Sequence, residues 1–91
     1  NYQLSNAYPN PFNPRTIINY KIAEGSQVKI DIYDVRGLLI KNIFNRYHSI
    51  GDYSTAWDGT NQEGKKVSSG EYFYKITSNN YINTKKIIFL K

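Results

Sequence analysis

Cysteine and methionine are both missing from these 91 residues. Without thiols the chain can form neither disulfides nor thiolate metal sites, so its stability has to come from packing alone. The single histidine, His48, cannot build a transition-metal site by itself. The longest apolar run, Ile87 to Leu90, is far shorter than the roughly 20 residues a membrane helix needs, so no membrane insertion is expected. Nor does the start resemble a signal peptide, which would open with charge followed by an apolar stretch. With no methionine and Asn1 in first place, we expect a piece of a longer polypeptide that folds as one domain over residues 1–91.

Acids are scarce in one region only. Residues 65–91 hold Lys65, Lys66, Lys75, Lys85, Lys86 and Lys91 against the single acid Glu71, whereas residues 1–64 balance six basic and six acidic side chains. The formal net charge of +5 therefore belongs to the C-terminal end, which suits a surface that meets something anionic or a recognition apparatus.

What is plentiful is β-forming residues. Nine Tyr, four Phe, one Trp and frequent Ile are broken at short intervals by Gly, Asn and Ser. Val28, Ile30 and Ile32 alternate with polar neighbours, the signature of a half-buried strand. The same alternation predicts strands at Thr16 to Ile22, from Leu38 with an irregularity before Ile43, at Tyr53 to Trp57, at Tyr72 to Ile76 and at Ile82 to Leu90. A short strand near Tyr2 to Ser5 completes a count of about seven, with turn signals at the spacing of antiparallel sandwiches, and predicts an all-β antiparallel sandwich. Asp34-Val35-Arg36-Gly37 and Asn79-Asn80 carry the turn chemistry of tight hairpins. Trp57, Ile30, Ile32, Phe12 and Ile76 are the expected core.

Several motifs invite a chemical reading. Tyr8-Pro9-Asn10-Pro11-Phe12-Asn13-Pro14 fixes φ repeatedly; we read it as a stiff strap across the sandwich anchored by Phe12, rather than as a proline-rich ligand. Asp58, Asn61 and Glu63 offer oxygens for calcium, but their spacing departs from that of a calcium loop and turn chemistry explains Asp58-Gly59. Tyr72-Phe73-Tyr74-Lys75 alternates aromatic and basic groups as base- or sugar-stacking sheets do. No RNA-binding consensus accompanies it, so the tyrosines are read as core-edge residues with hydroxyls in water, and no nucleic-acid partner is expected. His48 falls in the polar stretch Asn45 to Ser49 and is read as a loop residue. Adjacent side chains on an extended chain point to opposite faces, which argues against a His48–Ser49 dyad. The acids are scattered, so neither an enzyme nor a cofactor is expected.

Five stretches in fixed order carry a resemblance. Tyr8 to Pro14, Val28 to Gly37, Trp57-Asp58-Gly59, Ser69 to Lys75, and Lys85 to Lys91 together resemble the type A C-terminal sorting domain of the type IX secretion system, also called the Por secretion system. The resemblance spans essentially the whole chain, and the related immunoglobulin-like domain of the flagellar hook-capping protein shares several of the stretches. It implies an immunoglobulin-like antiparallel β-sandwich of about seven strands that carries an N-terminal cargo domain through the periplasm to the cell surface or the exterior. The implied partners are the outer-membrane type IX secretion machinery and its sortase-like peptidase, with removal upstream of this domain. The positions carried over are Gly70 and Tyr72 of the glycine-tyrosine motif, and Lys85, Lys86, Ile87, Ile88, Phe89, Leu90 and Lys91 of the terminal run. On the final strand we expect Ile88 and Leu90 on the inner face, with a free edge or end offered to a partner. The alternative reading is a non-catalytic carbohydrate-binding or assembly module of an extracellular multidomain enzyme.

Overall fold

The alternating segments form seven strands in the computed structural model: β1 (Gln3–Leu4), β2 (Thr16–Ile22), β3 (Ser26–Asp34), β4 (Leu39–His48), β5 (Gly51–Trp57), β6 (Gly70–Ser78) and β7 (Tyr81–Phe89). Every pairing between strands is antiparallel. One sheet has the order β1-β2-β5 and the other β4-β3-β6-β7, giving a three-on-four immunoglobulin-like sandwich.

Side-chain alternation decides which face each strand buries. Ile18, Tyr20 and Ile22 of β2 meet Val28, Ile30 and Ile32 of β3, with Tyr72, Tyr74 and Ile76 of β6 and Ile87 and Phe89 of β7 closing the core. All five expected core residues are buried. Buried polar side chains are satisfied within the fold. The Ser26 and Ser78 hydroxyls bond each other, and Asp31 takes a hydrogen bond from Asn42 at 2.8 Å beside Lys29 at 3.6 Å.

Both predicted hairpins form. Asp34 Oδ1 accepts from the backbone N–H groups of Arg36 and Leu38, and Gly37 takes φ 83°. Asn79 adopts φ 54° in the turn from β6 to β7. The irregularity on β4 is two bulges, which leave Ile40 and Ile43 without partners on β3.

The polar stretch after Phe44 is not a loop. Asn45 to His48 continue β4 opposite Ser26 to Lys29, and His48 is buried. Its Nε2 lies 2.7 Å from the Tyr20 hydroxyl and its Nδ1 3.2 Å from the Arg46 carbonyl. A carbonyl can only accept, so Nδ1 carries the proton and Nε2 accepts from Tyr20. Two such partners, together with Phe44 stacked on the ring and Tyr53 tilted against it, turn His48 inward. Ser49 bonds Tyr53 instead, so the two residues form no dyad.

Candidate recognition site on the last strand

The proline segment begins on β2, where Tyr8 and Ile17 exchange backbone hydrogen bonds at 3.0 and 2.8 Å, and then crosses to β7. There Phe12 forms a parallel bridge with Phe89. The Phe12 N–H donates to the Ile88 carbonyl at 2.9 Å, and the Leu90 N–H donates to the Phe12 carbonyl at 3.1 Å. Asn10 extends the contact through its side chain, accepting from Ile88 N–H at 2.9 Å and donating to the Lys86 carbonyl at 3.3 Å. The segment is thus the expected strap, with the Phe12 ring as its anchor 5.0 Å from Phe89 and 5.4 Å from Trp57.

Two expectations for β7 need correction. Its inner face carries Ile87 and Phe89, both essentially fully buried, while Ile88 is half-buried beside the strap and Leu90 is 50% exposed. Four consecutive apolar residues fit either alternation, so the register is fixed by the partners: Ile87 lies opposite Tyr72 and Phe89 opposite Gly70. Nor is the edge free at its C-terminal end, because the strap occupies it from Lys86 to Leu90.

The glycine-tyrosine motif is structural in geometry. Gly70 opens β6, and Tyr72, two residues on, is buried with its ring edge-on to Trp57 at 5.2 Å. Its hydroxyl donates to the Ser68 carbonyl at 2.7 Å, a bond from an early-strand tyrosine back to the preceding corner, as in the tyrosine corner of immunoglobulin-like sandwiches. Burial raises the Tyr72 hydroxyl pKa above that of a free phenol. Tyr74 likewise donates to the Ser5 carbonyl at 2.7 Å, so these two hydroxyls end on protein carbonyls rather than in water. Tyr72 and Tyr74 face inward, and only Phe73 and Lys75 reach the outer face, where the Lys75 ammonium lies 5.2 Å from the centre of the Tyr33 ring.

The loop after β5 closes over the same corner. Gly59, at φ 75°, lies so near Phe89 that an added Cβ would come within 2.7 Å of its ring. Lys66 bonds the Asp58 carbonyl and stands 5.7 Å from the Phe89 ring centre. The Asp58 carboxylate accepts from the Thr60 hydroxyl and N–H, and the hydroxyl bond holds its pKa below the ordinary carboxylate range. Asn61 Oδ1 accepts from Glu63 N–H and Lys65 N–H, both at 3.0 Å. These oxygens of the supposed calcium loop are therefore engaged in turn chemistry.

The carried-over residues divide into two groups. Tyr72, Ile87 and Phe89 belong to the core beside Gly70, whereas Lys86, Leu90 and Lys91 are exposed and Lys85 and Ile88 are half-exposed. Lys86 lies 3.9 Å from Glu71, and the Lys91 N–H donates to the Ser69 hydroxyl at 2.8 Å. The strap contact escaped sequence reasoning because it joins residues 76 and 78 positions apart. The asparagine between two prolines was its one local signal.

The FlgD Ig-like domain family matches residues 15–81 of the chain. No curated protein matches it. Dimeric latent PorU of Porphyromonas gingivalis shares the fold over 96% of this chain at 21% identity, with a TM-score of 0.75. PorZ, named an essential bacterial surface component of the type IX secretion system of the same organism, shares it over 97% at 17% identity, with a TM-score of 0.64. The chain spans 9% of the first structure and 11% of the second.

Proposed function

This chain belongs to the FlgD Ig-like domain family, and we propose that it is a non-catalytic sorting domain, read as a folded surface by the type IX secretion machinery. It directs an N-terminal cargo domain across the periplasm to the cell surface or the exterior, where a sortase-like peptidase removes it. The observation that carries this reading is likeness of fold over 97% of the chain to PorZ, a surface component of that system. The basic C-terminal third supports it, since its Lys86 and Lys91 side chains are exposed to an acidic receptor.

The test is export of a periplasmic reporter fused ahead of residues 1–91 in a bacterium that has this system. The intact fusion is expected at the surface, and Lys86→Glu with Lys91→Glu is expected to leave it in the periplasm. Undiminished export of that double variant would remove the terminal lysines from the signal. Deleting residues 85–91 is the wrong test, because it also removes Ile87 and Phe89 from the core.

The family match itself favours a second reading, in which the sandwich is a permanent assembly module. Intact masses of the parent protein inside and outside the cell separate the two. A shorter external form lacking this domain supports the sorting reading, and retention of the domain supports assembly.

A further inference from the structure

Backbone groups on a strand alternate in direction as side chains do, and the strap contacts fix that alternation on β7. Ile88 and Leu90 turn their groups toward the strap, so the even-numbered residues face the outer edge while the odd-numbered ones pair with β6. The N–H and carbonyl of Ile82 and Thr84, and the N–H of Lys86, therefore point away from the sheet, and β7 has no neighbour beyond it. The strap stops short of them. Unlike the bulged β4, where Gln62 bonds both Ile40 and Asn42, this stretch has neither a bulge nor a covering side chain. Ile82 is 61% exposed on it. Proteins generally blunt such an edge; here the guard is charge alone, from Lys85 and Lys86, which repels a basic strand and leaves the edge a template for an acidic one.

Charge selects the occupant. Lys85 and Lys86 lie on opposite faces of this edge, with Lys75 one strand further in. Neither Lys75 nor Lys85 forms an ion pair, and Lys86 has only the 3.9 Å contact with exposed Glu71. A second copy would bring the same lysines to the same edge, whereas an acidic strand would place carboxylates beside both of them. We propose that the Ile82 to Lys86 edge of β7 binds an extended acidic segment of another protein by β-strand addition, its main chain pairing with Ile82, Thr84 and Lys86. The inference uses a strand that the sorting reading also invokes, but it concerns binding by the folded domain and requires no export.

The test uses the purified chain and a short synthetic peptide of alternating glutamate and valine, followed by amide hydrogen exchange and titration. Binding is expected to slow exchange at Ile82, Thr84 and Lys86. Thr84→Pro removes an edge N–H that the sheet does not use, and proline is tolerated where the N–H faces solvent. That variant, and Lys85→Gln with Lys86→Gln, should each weaken binding by at least about tenfold. If Thr84→Pro fails to fold, the double glutamine variant and a peptide with prolines at the pairing positions decide the question. Binding that leaves those amides unprotected, or that survives these changes, overturns the proposal. So does equal binding of a lysine-valine peptide, or edge protection that grows with protein concentration and needs no peptide, which would make a second copy the occupant. Secretion assays bear on the sorting reading alone, so the two can fail separately.

Discussion

Phe89 shows how much of the terminal run from Lys85 to Lys91 serves the core. Its ring meets Phe12, Trp57 and the bare face of Gly59. Phe89→Ala or Phe12→Ala should each destabilise the domain by about 3–5 kcal/mol in denaturant titration, the usual cost of emptying an aromatic site. The double variant should cost less than the sum, because the two rings touch. Gly59→Ala should be the worst glycine substitution, since it adds a clash to the penalty for positive φ; Gly64→Ala, at φ 85° with open space around it, should cost only about 1 kcal/mol. Phe12 and Trp57 were legible as core because isolated aromatics in polar or proline-rich surroundings have little else to do. The role of Tyr72 was not, since its hydroxyl partner is a carbonyl at Ser68 whose position depends on the path of the loop.

Among the elements, the hairpins were the easiest to read from sequence, because Asp34, Gly37 and Asn79 state their turn chemistry locally. The second half of β4 was not, because Asn45 to His48 are polar and their strand is held by a buried histidine–tyrosine bond. Nor was the facing of β7: four apolar residues in a row have no period, and pairing with β6 decides it. The strap adds a tertiary override, converting the end of a nominal edge strand into an interior one. Asn10→Ala should leave the core in place while amide exchange at Ile88 rises, because its N–H loses the only acceptor in reach. Unchanged protection at Ile88 would show that the strap is held by Phe12 alone.

For the whole molecule, pH is the direct probe of how tyrosines are used. Burial pushes the Tyr20 hydroxyl up to about 12 from an ordinary value of 10, so the unfolded chain gives up that proton more readily than the native one. The stabilisation is complete below pH 10 and is lost between about pH 10 and 12, at up to about 1.4 kcal/mol per pH unit for this one group. Melting curves followed by Trp57 fluorescence should fall across that window, and Tyr20→Phe should flatten the fall. On the acid side, hydrogen bonds from Arg36 and from Thr60 depress the carboxyls of Asp34 and Asp58, so stability should also decline as pH drops below about 4. The strap has a mechanical consequence as well. Phe12 and Phe89 lie on segments that run in the same direction, so tension applied through the two ends slides one past the other. The bonds of Asn10, Phe12, Ile88 and Leu90 are then loaded together in shear instead of opening one at a time like a zipper. In an optical trap, pulling from residues 1 and 91 should meet a single high-force rupture, and Asn10→Ala should lower that force: a domain so clamped stays folded under load applied through its two ends.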